Sequence, residues 1–157
     1  MSVVKDMPGI ISGRVHNAIF LSPELNLNKL IRPDFAIFRV ADVGEDIIHR
    51  EIAIAFFNGY GSELHQGRPG GRTVEFEADR QYLARTTFIL RQNNDAFLDQ
   101  DWTPFIETTA DNIFVNRWTS GEKTIYTVLN MRPEGFAGKL FRLAVQKGKH
   151  YVSLWNH

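Results

Sequence analysis

The run EIAIAFFNGYG, residues Glu51 to Gly61, decides how the amino-terminal half is read. Ile52 to Phe57 are continuously apolar, and periodicity alone does not separate a buried strand from a buried helix segment. The abrupt stop at Asn58-Gly59-Tyr60-Gly61 favours a strand running into a tight loop, since glycine accepts backbone angles that other residues avoid. Loops at the carboxyl ends of strands commonly carry ligands, which makes Asn58 and Tyr60 candidate ligand-binding residues.

Upstream, Val15–Leu21 and Phe35–Val40 have strand composition, and Leu25–Ile31 reads as a short helical turn ended by Pro33. Downstream, residues 62–72 carry Gly67, Pro69, Gly70 and Gly71 and read as a surface loop. Thr73 is then a candidate cap for a helix whose positive end is met by Glu75 and Glu77. Beyond Phe76, Leu83, Thr87, Leu90 and Phe97 recur near helical spacing, widened by Ala84, Phe88 and Ala96. Residues 74–98 are therefore expected to form one long amphipathic helix.

The pattern changes after Asp99–Pro104. Ile113–Trp118 and Thr124–Asn130 flank a hairpin loop at 119–123, and Leu140–Val145 and Tyr151–Trp155 flank a second at 146–149. These imply a four-stranded antiparallel unit that needs cover on its apolar face. The expected fold class is α+β or partial α/β: short strands and a long amphipathic helix, then an antiparallel β-domain. The expected division is a strand–loop–helix segment over residues 1–105 and a β-rich domain, of β-sandwich character, over 106–157, packed together.

The chain has 157 residues, 43% of them apolar, enough for one compact domain or two small ones. Eighteen basic and eighteen acidic residues balance, which argues against a duplex-binding protein or a polybasic membrane anchor. No cysteine is present, which excludes disulfides and thiolate chemistry. The start lacks the apolar stretch of a secretory signal, and the longest apolar run, Ile52–Phe57, is far too short to cross a bilayer. A cytoplasmic location is the default expectation.

The five histidines show none of the HxxxH, HExxH or HxH spacings of a metal set, and neither a phosphate-binding loop nor a GxSxG elbow is present. No metal or cofactor is expected. A carboxylate pair is the one enzyme reading with chemical content, because glycosidic hydrolysis needs an acid opposite a base or nucleophile. Asp42 follows one expected strand and Glu63 follows the next, so parallel neighbours would bring both to one rim. Glu45 and Asp46 are alternatives to Asp42. A binding reading uses aromatic faces, on which sugar rings pack. Its candidates are Tyr60, Trp102, Trp118 and Trp155, with Tyr126 and Tyr151. The competing reading places these rings in a small β core.

From Glu51 to Asn156 the order EIAIAFFNGYGSE, long helix, DWTPFIETTADNIFVNRWTSGEKTIYTVLN, GKLFRLAV and HYVSLWN resembles the carboxyl-terminal region of large bacterial glycoside-hydrolase-like proteins. There the end of a (β/α)8 barrel precedes an antiparallel β-domain. The resemblance implies that Ile52–Phe57 is a late barrel strand, that the helix from Val74 closes the barrel, and that Asn58–Gly61 lies at a substrate-facing rim. It implies a carbohydrate-associated accessory or remnant segment without independent catalysis. A glycoside hydrolase using Asp42 and Glu63 is one alternative, and a structural or oligomerising interaction protein is another. The partners expected are a carbohydrate, and a second copy or the missing portion of a barrel. Nucleic acid and membrane are not among them.

Overall fold

The computed structural model describes residues 12–15, 25, 26, 29, 36–42, 48–65 and 73–156, with the side chains of 13–15, 36, 42, 65 and 73–76 outside that description. The strand expected over Val15–Leu21 lies outside it beyond Val15, as do most of the turn at Leu25–Ile31, Glu45, Asp46 and the loop at 66–72.

Strands β1 (Ser12–Val15), β2 (Ala36–Asp42) and β3 (Gly61–His65) form a parallel sheet in the order β1-β2-β3. Helix α1 (Ile48–Phe57) connects β2 to β3, and α2 (Thr73–Gln92) and α3 (Asn94–Leu98) follow. Strands β4 (Trp102–Thr103), β5 (Ile113–Ser120) and β6 (Lys123–Asn130) form an antiparallel sheet in sequence order. The molecule is thus a small α+β fold with two three-stranded sheets, which corrects the expected fold class in three places.

The first correction is α1, which is a helix where a strand was expected. Ile48, Ile52 and Ala55 turn toward the parallel sheet, clustering with Ala41 and with Ile37 and Tyr60. Ile54 and Phe57 turn the other way, against Leu129 of β6. A helix held between two sheets is apolar on two sides, so its sequence shows no clean stripe. It ends in a Schellman turn: Tyr60 N–H bonds Ala55 C=O at 3.1 Å, Gly59 N–H bonds Phe56 C=O at 3.0 Å, and Gly59 has φ +72. The contact between Tyr60 and Ala55 is the apolar clasp that accompanies this motif.

The second correction is the single amphipathic helix over 74–98. The helical stretch stops at Gln92 and restarts at Asn94. Asn93 interrupts it with φ −127, and its side-chain amide donates to Ile89 C=O at 2.7 Å, a local bond that competes with the helical ladder. Among the described side chains of α2 the buried ones are Asp79, Thr86 and Ile89, whereas Phe88, on the expected stripe, is 56% exposed.

The third is the tail. No strand forms within residues 131–156, so the antiparallel unit has three strands, one of them only two residues long. A turn does form at Gly148, closed by Lys149 N–H to Gln146 C=O, but the flanking segments make no ladder and leave Val145, Tyr151 and Val152 exposed. One three-stranded sheet in a mixed fold is not a β-sandwich, which needs two sheets face to face.

Candidate functional site

Asp42 ends β2, whereas Glu63 lies midway along β3. In the β2–β3 register Val40 pairs with Glu63 and Asp42 pairs with His65. Positions 38, 40 and 42 share one face of β2, and 61, 63 and 65 share the matching face of β3. The backbone therefore brings Asp42 and Glu63 to adjacent register positions on neighbouring parallel strands. Glu63 is half-buried. Among the described residues no group of three or more metal-ligating side chains gathers.

The opposite face of this sheet meets the helices. Ala41, Ile48 and Ile52 form a cluster against which Leu64, Tyr82 and Leu83 pack, so α1 and α2 lie on the same side. Arg39, on that side, forms a buried ion pair with Glu51 of α1, at 0% and 1% side-chain exposure. Phe38, Val40, Gly61 and Glu63 occupy the side without these helices.

The residues expected to contact ligand take other roles. Asn58 is buried at the end of α1, where its carbonyl oxygen accepts from Asn26 N–H at 2.8 Å and its amide donates to Ile54 C=O at 2.9 Å. Tyr60 is buried beside Ile37 and Ala55. Trp102 stacks on Trp118 at 5.3 Å, and Phe97 meets Trp118 edge-on at 5.3 Å. Trp118 is fully buried; its indole N–H donates to Thr127 Oγ1 at 3.0 Å, and Lys29 Nζ lies 5.5 Å from its ring centre. Burial lowers the Lys29 pKa, an effect partly offset by Asp99. Protein covers these rings, so sugar stacking on Tyr60, Trp102 and Trp118 is corrected to core packing. Trp155 is half-buried, 5.4 Å from the Tyr82 ring, with the Arg85 guanidinium 5.4 Å from its centre.

A group not singled out from the sequence stands beside Trp155. His49 of α1 stacks on Tyr82 at 3.8 Å, and its Nδ1 lies 3.2 Å from Asp79 Oδ1 of α2. Burial raises the Tyr82 pKa. Asp79 falls at a buried helical position with His49 thirty residues away, and neither residue carries a local signal of the pairing.

Comparison with protein-family models, curated proteins and solved structures finds no match. The small mixed fold and the covered indoles thus replace the expectation of a carbohydrate-binding β-sandwich, and no known family supports a glycoside-hydrolase-like assignment. Among the described residues no helix is long and apolar enough to cross a membrane.

Proposed function

We propose that the chain is a structural interaction segment whose parallel strands form part of a larger β/α sheet completed by further parallel β/α units. The observation that carries this reading is the shared cluster of Ala41, Ile48, Ile52, Leu64, Tyr82 and Leu83, which sets α1 and α2 on one face of the sheet. Parallel sheets are ordinarily covered on both faces. When consecutive parallel strands are neighbours in sequence order and every crossover is right-handed, all helices fall on one side. The other side is then covered by sheet closure, as in a barrel, or by a partner. Here that side carries the half-buried Phe38 and the buried Val40, and among the described residues β1 and β3 each pair with β2 alone. The immediate action of the segment is packing.

The test is amide exchange and binding of an apolar dye by the isolated chain. Dye uptake is expected, with the outer-edge amides of β1 and β3 that do not bond β2 exchanging far faster than the paired amides of β5, and Phe38→Asp should reduce the uptake. A chain that takes up no dye and protects β1 and β3 as well as β5 would refute the reading.

A further inference from the structure

The overall balance of charge argues against a basic anchor, but acids and bases are not evenly mixed along the chain. All eighteen acids lie before residue 135, and residues 135–157 carry Lys139, Arg142, Lys147 and Lys149 with no acid among them. All four cations are exposed. Lys139, Arg142 and Lys147 form no ion pair among the described residues. Glu122, the acid this segment meets by hydrogen bond, takes Lys149 Nζ on its backbone carbonyl at 3.1 Å, and its carboxylate is left out of that bond.

The segment is pinned at both ends. Thr109 Oγ1 donates to Lys139 C=O at 2.6 Å and Phe141 meets the Tyr126 ring at 5.4 Å, while Leu154 packs on the cluster around Trp118 and Trp155 on Tyr82. Between these points the chain makes a loop. Tyr151 Oη donates to Ala144 C=O at 2.6 Å across its base, and the turn of Gln146 and Lys149 closes its tip. The loop presents Val145 at 90% exposure, with Tyr151 and Val152 also largely in solvent, and Lys147 and Lys149 lie between them in sequence.

Aliphatic side chains in water beside cations, in a loop held at its base, suit a surface that is apolar inside and anionic outside. A bilayer with acidic headgroups has that profile: valines enter the boundary of the acyl region, a tyrosine rests at headgroup level, and lysines meet phosphate and carboxylate. Single-stranded nucleic acid shares the charge but is bound through exposed ring faces, and it has no use for Val145 and Val152. We infer that the loop around Val145–Val152 is a peripheral membrane-docking element for anionic phospholipid. This goes beyond the proposed packing of the parallel sheet, because it uses none of that sheet's residues.

The experiment is co-sedimentation of the full chain with vesicles of phosphatidylcholine, made with and without phosphatidylserine. Binding is expected on the phosphatidylserine vesicles, and it should fall as salt is raised. Lys147→Glu and Arg142→Glu each change two unit charges near the surface and should each weaken binding about thirtyfold. Val145→Ser leaves the charge unaltered and should weaken it about fivefold through lost apolar burial. All three side chains are exposed, and far-ultraviolet circular dichroism checks that the variants fold. A wild type that binds neither vesicle overturns the inference. So does binding indifferent to Val145→Ser, or a single-stranded oligonucleotide that displaces the chain from the vesicles. Each of these outcomes leaves the reading of the parallel sheet standing.

Discussion

Gly59 sits where the carboxyl end of α1 meets the aromatic core of the antiparallel sheet. Its φ of +72 is costly for any residue with a side chain, and a Cβ there would stand 2.9 Å from Trp118 Cη2 and 3.0 Å from Phe97 Cδ1. Trp118 cannot yield, being fully buried between Trp102 and Phe97. Left-handed strain and overpacking add, so Gly59→Ala should cost about 2–4 kcal/mol in urea unfolding. A loss below about 1 kcal/mol would show that the turn or the indole relaxes freely. Asp99 offers a second test at this scale. Its carboxyl is held below the ordinary aspartate value of 3.8 chiefly by the backbone N–H of Asp101, then by the Ser120 hydroxyl. The folded chain therefore binds fewer protons than the unfolded chain between the two values. The stability so gained is complete above the ordinary value and is lost as pH falls through the folded one. Asp99→Asn should lower stability at neutral pH and flatten its fall below about pH 4. Urea midpoints over a pH series check this, and an unchanged acid slope would count against it.

Among the elements, α1 carries the most demanding chemistry. The Arg39–Glu51 pair lies between β2 and α1 with both side chains out of solvent. Removing one partner of such a pair typically costs about 3–5 kcal/mol, while replacing both by apolar groups of similar volume is often neutral or better. Glu51→Ala should therefore destabilise by that amount, and Arg39→Met with Glu51→Leu should return to within about 1 kcal/mol of wild type. If the double variant is as unstable as the single, the pair does more than fill space. Glu51 also explains why α1 was hard to read: a charged residue at the head of EIAIAFF looks like the solvent end of a strand, yet it is the most deeply placed acid described. The hairpin β5–β6 was legible from its loop at 119–123 and from β6, where Ile125, Thr127 and Leu129 alternate on one buried face; in β5 the buried Ile113 and Val115 lie on the opposite face, with Val128. Strand β3, GSELH, has no such alternation of apolar residues, since a parallel strand takes its place from the β2 register. Asp42 and Glu63 were expected at one rim as residues following two neighbouring strands, but the second of those, Glu51–Phe57, lies in helix α1 and Glu63 lies within β3; His49 and Asp79 meet only through the packing of two helices.

At the scale of the whole molecule, the two sheets are joined through one carbonyl. Phe57 C=O, at the end of α1, accepts from Asn116 Nδ2 of β5 at 3.0 Å and from Thr127 Oγ1 of β6 at 2.8 Å. Thr127 in turn accepts from the Trp118 indole, and Asn116 Oδ1 accepts from Phe105 N–H at 3.2 Å. All of Asn116, Thr127 and Phe57 are buried, so these bonds are shielded from water and a lost partner leaves a polar atom without solvent. The helix that fastens the parallel sheet is thereby fastened to the antiparallel one, alongside the apolar contact of Ile54, Phe57 and Leu129. The wild-type chain should then unfold its two sheets together, with the slowest-exchanging amides of β2 and β5 reporting the same opening free energy. Thr127→Val keeps the shape but removes one donor to the carbonyl and the acceptor for the indole. It should cost about 1–3 kcal/mol for the polar groups it strands. Combined with Asn116→Leu, which removes the other donor, it should separate the two openings, with β2 exchanging before β5. If β2 and β5 amides still open together in the double variant, the carbonyl is not the link and the apolar contact alone couples the halves.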